Sequence, residues 1–417
     1  MIKKYLVNLS KKSVCLRKTF RFVLYIKNKI TYLYYFLFYK IDDKMIFFES
    51  FYGNSYSCSP KAIYEYVLND ERFKDYKFVW AFKNINKYTF DERTILVKSN
   101  SRKYYKHLSK SKYWVVNLLI NTGVKKKKNQ VYVQCWHGTP LKKLRYDIEK
   151  DNVLNSISEV RKRNDMDAVK FDYFISPSKF CTEKFTSAFN LKKLNNENIF
   201  IEKGYPRNDY LFNYKKSDIK RIKKELNIPS NKKVILYAPT FRDNQHSANI
   251  GYTYNVELDF NKLKNEFSEE YVILFRAHYF IANKFDFKKY NNFVYDVSKY
   301  EDINELYIIS DILITDYSSV FFDFANLKRP ILFYMYDYNN YKNNLRDFYI
   351  DLKELPGPIL KKENTLIKEI KNIDNYSKKY KEKYEKFNKK YNYLDDGNAT
   401  KRVVEEIFNE NWIKKEN

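Results

Sequence analysis

The sequence predicts an α/β protein of two Rossmann-like domains facing a cleft, with a basic, aromatic N-terminal segment suited to membrane association. Three observations predict it. From Met45 onward, short apolar runs alternate with helical stretches; the runs are apolar at successive positions; and a second such series follows within the same 417 residues. Strands apolar on both faces and separated by helices form parallel sheets with crossover helices. A chain of this length can bury two cores.

Taken in order, residues 1–42 stand apart. The first forty hold ten lysines and arginines, many aromatic residues and no acid. The apolar run 30–39 is half of the ~20 residues that span a bilayer, and no small-residue cleavage site follows an apolar core. Basic and aromatic residues without acids suit a helix lying in the interface of an anionic leaflet; packing on the chain's own first domain is the alternative. Residues 43–212 form the first domain, with strands at 45–49, 78–81, 113–117, 131–136, 173–176 and 199–203 and helices at 60–68 and 178–189. A polar helix at 217–226 marks the passage to the second domain, 213–372. Its strands fall at 234–237, 272–276, 293–296, 312–315 and 331–334, its helices at 303–309 and 320–326. In the C-terminal helices, 373–417, Tyr376, Tyr380, Tyr384, Phe387 and Tyr391 form one apolar stripe, a pattern that predicts core packing.

The net charge of +27 favours anionic partners, although a Lys-, Asn- and Tyr-rich composition accounts for part of it. Nucleic acid is set aside, because no Gly-rich RNA-binding signature occurs. Neither GxGxxG nor GxxxxGK[ST] is present, so dinucleotide redox chemistry and P-loop hydrolysis lose their support. Four cysteines without CxxC spacing argue for a reducing compartment and against structural zinc.

Histidine is scarce, which makes its placement informative. His107 and His246 lie in polar segments and read as surface residues. His137, in Gln134-Cys135-Trp136-His137-Gly138-Thr139-Pro140-Leu141-Lys142-Lys143, and His278, in Phe275-Arg276-Ala277-His278, each follow a strand, one per domain. Ligands of open α/β sheets bind beyond the carboxyl ends of the strands. An imidazole there suits proton transfer, with an ordinary pKa of about 6.5, and Gly138 permits close backbone approach. In Ile312-Leu313-Ile314-Thr315-Asp316-Tyr317-Ser318-Ser319-Val320-Phe321-Phe322-Asp323 a buried strand runs into cap residues and a helix. Asp316 or Ser318 can cap that helix, its free N–H groups favour an anion, Ser318 and Ser319 add hydroxyls, and Asp323 can reach a ribose hydroxyl. Arg207, Arg242 (after Tyr237-Ala238-Pro239-Thr240-Phe241) and Arg276 sit at strand ends and can bind phosphate oxygens bidentately. No DxD motif stands beside these elements, so arginines and a helix terminus are expected in place of a metal.

These motifs, in this order, resemble the CDP-glycerol glycerophosphotransferase family of teichoic-acid and capsule biosynthesis. The match runs from the segments around Phe47–Gly53 and Pro60–Tyr64 to Asp396–Thr400, some four-fifths of the chain. WHGTPLK and TDYSS…FD are its specific segments; YAPTFR and RAH support them. The chain departs at Tyr52, where the family has His, and at Tyr279, where Pro follows the histidine. The resemblance implies a GT-B fold and transfer of glycerol phosphate, or a related polyol phosphate, from CDP-glycerol or another CDP-polyol to a polyprenyl-diphosphate-linked or glycolipid acceptor. CMP is released, no cofactor is used, and the enzyme sits peripherally on the cytoplasmic face of the membrane. It implies His137 as general base, His278 with Arg207, Arg242 and Arg276 as charge stabilisers, and Gly138, Thr139, Thr240, Asp316, Ser318, Ser319 and Asp323 as substrate contacts. The nearest rival is a GT-B glycosyltransferase using a nucleotide sugar. Glycerol against ribitol, and primase against polymerase, stay open.

Overall fold

A computed structural model describes residues 14–120, 123–149, 157–240, 246–247, 251–252, 257–277, 287–338 and 347–409. The first sheet has seven parallel strands: β1 Asp42–Glu49, β2 Lys77–Phe82, β3 Thr94–Lys98, β4 Ser111–Val116, β5 Val131–Gln134, β6 Tyr173–Ser176 and β7 Phe200–Glu202. Their order is β3-β2-β1-β4-β5-β6-β7. In the second domain β8 is Lys233–Ala238, and β9 His246–Ser247 and β10 Gly251–Tyr252 form a separate antiparallel pair. β11 Tyr271–Phe275, β12 Val294–Asp296, β13 Ile312–Thr315, β14 Ile331–Tyr334 and β15 Ile359–Leu360 complete a six-stranded parallel sheet in the order β12-β11-β8-β13-β14-β15. The two parallel sheets make a GT-B-like fold.

The central strands are buried on both sides, as their unbroken apolar runs require. In β1, Phe47 packs into one core with Trp114 and Tyr132, while Ile46 and Phe48 pack into another with Trp80 and Val115. β3 and β15, each at a sheet edge, are absent from the predicted strands, which do include the opposite edges β7 and β12; β3 is largely half-buried and β15 has two residues.

The C-terminal stripe packs as core. Tyr376, Tyr384, Phe387 and Tyr391 of the helix Tyr376–Tyr391 are buried against the second domain, with Tyr380 half-buried beside them. The next helix, Ala399–Ile407, returns to the first domain, where Val403, Val404 and Ile407 join Ile46 and Phe48.

The N-terminal helix Val14–Phe38 docks by one face only. Tyr32 is buried and donates its hydroxyl proton to the Lys125 carbonyl, and Tyr35 and Phe36 pack on the first domain's core. Val23, Ile26, Ile30, Leu33, Tyr34 and Leu37 form an exposed apolar stripe on the other face. No helix among the described residues is long and apolar enough to cross a membrane.

Candidate active site

In each sheet the strand order reverses once, between β1 and β4 and between β8 and β13. Connections leaving the two strands there diverge to opposite faces and open a crevice at the carboxyl ends. Both crevices line a single cleft of about 430 Å³. The first domain supplies Phe51 after β1, Leu118 after β4 and Trp136 to Leu141 after β5; the second supplies Thr240 after β8, Arg276 after β11 and Tyr317 to Val320 after β13.

His137 is half-buried in this cleft. Its Nδ1 lies 3.0 Å from the Asn117 carbonyl oxygen. A carbonyl only accepts, so Nδ1 carries the proton and Nε2 keeps its lone pair. Trp136 packs on the ring at 4.2 Å and Phe51 meets it edge-on at 5.8 Å. Burial pushes the pKa down to about 4, the Asn117 bond opposing this and the Arg207 and Arg145 charges adding to it. The imidazole is therefore neutral at neutral pH, in the state of a base. Trp136 holds a left-handed φ of 49° and turns the chain out of β5. A Cβ at Gly138 would lie 3.1 Å from Arg207 Nη2, so the glycine's immediate service is to admit that arginine.

Arg207 is a buried tie between the domains. Its Nη1 donates to the His137 carbonyl at 2.7 Å and its Nη2 to Asp323 Oδ2 at 2.5 Å. Asn208 donates to Asp323 Oδ1 at 3.1 Å, and Asn304 donates to the Arg207 carbonyl. Both carboxylate oxygens of Asp323, expected toward a ribose, are thus engaged by the first domain. Arg207 lines the cleft with both terminal nitrogens committed.

The strand-to-helix turn differs from the expected cap. Asp316 Oδ1 accepts from the backbone N–H groups of Thr240 at 2.8 Å and Tyr317 at 2.6 Å, tying the β13 loop to the β8 loop. Ser319, not Asp316 or Ser318, occupies the N-cap of the short helix Val320–Phe324, without a side-chain cap bond. The reason is that Asp316 turns back across the sheet end, where β8 lies alongside. Ser318 and Ser319 line the cleft, and Thr139 is buried beside His137 with its hydroxyl 3.6 Å from Cys181 Sγ. Arg276 donates to the carbonyls of Val297 at 3.1 Å and Tyr300 at 2.8 Å while lining the cleft.

His278 and Arg242 lie outside the described residues; their described neighbours Ala277 and Thr240 line the cleft. His107 is half-buried, its Nδ1 2.8 Å from the Lys103 carbonyl, rather than a free surface residue. The pair Lys61–Asp302, 2.8 Å apart across the domain boundary, had no sequence signal, since its members are 241 positions apart. Among the described residues, no group of three or more His, Cys, Asp or Glu side chains assembles a cation site.

Residues 31–409 match the family model described as CDP-glycerol:poly(glycerophosphate) glycerophosphotransferase. The chain belongs to that family. It is similar to the teichoic acid poly(glycerol phosphate) polymerase of Bacillus spizizenii, with 44% identity over 88% of this chain and 92% of the relative. The corresponding polymerase of Bacillus subtilis is 43% identical over 88% of this chain but 49% of its own length. The solved structure of the wall teichoic acid polymerase TagF superposes with a TM-score of 0.85 at 40% identity, covering 96% of this chain and 98% of that one. This glycerophosphotransferase is thus an enzyme of the type that uses CDP-glycerol in teichoic acid synthesis.

Proposed function

We propose that the enzyme transfers glycerol phosphate from CDP-glycerol to a hydroxyl of a lipid-linked acceptor by direct displacement at the distal phosphorus. The acceptor oxygen forms the new P–O bond, the bond to CMP breaks, and CMP leaves with the electron pair. The observation that carries this reading is the His137 imidazole, neutral, with Nδ1 held by Asn117 and Nε2 free to take the acceptor proton. Ser318, Ser319 and Thr240 receive the donor's pyrophosphate from the second domain. Arg276, with His278 and Arg242 on sequence grounds, stabilises charge on the transferred phosphate and on departing CMP. Arg207 and Asp323 set the distance between the two half-sites.

The N-terminal helix holds the enzyme on the cytoplasmic face of an anionic membrane, its exposed stripe in the headgroup region and its lysines toward the lipid phosphates. The acceptor, polyprenyl-diphosphate-linked or a glycolipid, is then presented in the same plane.

The test is CMP release from CDP-glycerol and, separately, CDP-ribitol, each with a lipid-linked acceptor analogue. Acceptor-dependent CMP release with the glycerol donor supports the reading. Faster turnover with CDP-ribitol would replace the polyol, and acceptor-independent release would remove the displacement onto a hydroxyl.

A further inference from the structure

One cation beside the cleft has no part in the scheme above. Arg145 follows the His137 loop, at the start of the short turn Arg145–Asp147, with a left-handed φ of 47°. Its guanidinium carbon lies 5.6 Å from the centre of the Trp136 ring, and that ring packs on His137. The side chain is half-buried, yet among the described residues it makes no hydrogen bond and no ion pair. The other described arginines that are not exposed behave differently. Arg93, Arg161, Arg207, Arg276, Arg329 and Arg402 all donate to carboxylates or carbonyls.

The charges around Arg145 do not neutralise it. Asp167 attracts it and Arg163 repels it, and it makes no hydrogen bond or ion pair with either. Asp167 is already committed to the Tyr132 hydroxyl, the Ile120 N–H and Lys170. A guanidinium stripped of water without a counter-charge is unfavourable, and one held over an indole can still present its donors in a fork. That fork matches a phosphate.

We propose that Arg145 binds a phosphate of the acceptor, the group one polyol unit behind the hydroxyl that His137 deprotonates. This rests on the reading of His137 as the acceptor's base. The side of His137 decides between acceptor and donor. Arg145 stacks on the Trp136 side, whereas Ser319 approaches from the Gly138 side, 3.8 Å from where a Gly138 Cβ would stand. Donor groups therefore enter opposite Arg145, and an acceptor ending in a polyol phosphate can place its hydroxyl at Nε2 with its phosphate on the guanidinium.

The experiment compares full-length wild type with Arg145→Ala, Arg145→Gln and Arg145→Lys, using two lipid-linked acceptors. One ends in glycerol phosphate and the other in a hydroxyl with no neighbouring phosphate. The ratio of kcat/KM for the two should fall about tenfold to a hundredfold in the Ala and Gln variants, through KM for the phosphate-bearing acceptor. The Lys variant should recover part of it. CDP-glycerol affinity, measured by titration, should stay within about twofold of wild type. An unchanged ratio overturns the proposal, as does an equal loss with both acceptors; weakened CDP-glycerol binding would assign the arginine to the donor instead. Arg145→Gln keeps the stem on Trp136, so it decides the matter if the alanine variant does not fold. If wild type releases no CMP with either acceptor, the functional reading fails. Direct binding of glycerophosphoglycerol, present in wild type and lost in Arg145→Gln, then still decides the subsite.

Discussion

At the residue scale, the chemistry turns on how burial moves two titrations in opposite directions. His137 loses its proton near pH 4 rather than 6.5 because its charged form is poorly solvated. The acid limb of kcat/KM, which reports the free enzyme, should therefore lie well below pH 6; a limb at 6.5 would show the ring to be solvated. His137→Ala should lower turnover by a factor of about a hundred or more while CDP-glycerol still binds, as checked by CMP release and donor titration. Glu49, at the end of β1, is buried against the hydroxyls of Ser99 and Tyr104, and burial pushes its pKa up from 4.5 to about 7. Between those values the folded chain holds a proton that the unfolded chain has lost. Its contribution to stability is thus full below 4.5, drains as pH rises to about 7, and is flat above. Glu49→Gln should remove that slope, at most about 3 kcal/mol, in urea unfolding followed across this range. A difference between the two proteins that does not vary with pH would give the titration to another group, Asp395 being a second buried carboxyl raised to about 7.

At the element scale, the decisive parts are the connections that leave the sheets where strand order reverses. Asp316 binds two backbone N–H groups there, one from each loop. Asp316→Ala should cost about 1–3 kcal/mol in denaturant unfolding and weaken CDP-glycerol binding, because the Thr240 loop loses its anchor. Stability loss with unaltered donor affinity would detach that loop from the donor site. Much at this scale was legible beforehand. Central parallel strands need apolar residues on both faces, so β1, β4, β8 and β13 announce themselves, and the residues just beyond them become candidates by topology alone. The edges β3 and β15 went unread although the edges β7 and β12 were predicted: β15 is too short to leave a signature, and β3 is largely half-buried. Nor was Arg145 legible: a residue beyond a motif, singled out by the hydrogen bonds it lacks among the described residues, has no local pattern to display. The cap at Asp316 was misplaced for a related reason, since its partner Thr240 is 76 positions away.

At the scale of the whole molecule, the two domains are joined by buried charge. Arg207 and Asp323 are paired at the domain interface, both largely buried. Asp323→Ala should destabilise the enzyme by about 3–5 kcal/mol, since the buried guanidinium is left without a counter-charge, and the double change Arg207→Met with Asp323→Leu should recover most of it. Denaturant unfolding of the single and double variants checks this; a small single effect would mean that water reaches Arg207. On the outer face, Leu33→Glu with Leu37→Glu should abolish binding to anionic vesicles and leave CMP release with a water-soluble acceptor intact. Retained vesicle binding would move the membrane contact elsewhere.

The helix Ala399–Ile407 carries a further implication, for biosynthesis. It packs beside the helix Cys58–Leu68 in the first domain's core, although it follows the whole second domain along the chain. The second domain closes its core with Tyr391, inside the chain. Domains made on the ribosome commonly fold in order from the amino terminus, at about 5–20 residues per second. Here that order is inverted: the domain begun first is finished last, and a chain ending near residue 392 would carry a closed second domain behind a first one whose core of Ile46 and Phe48 still lacks Val403, Val404 and Ile407.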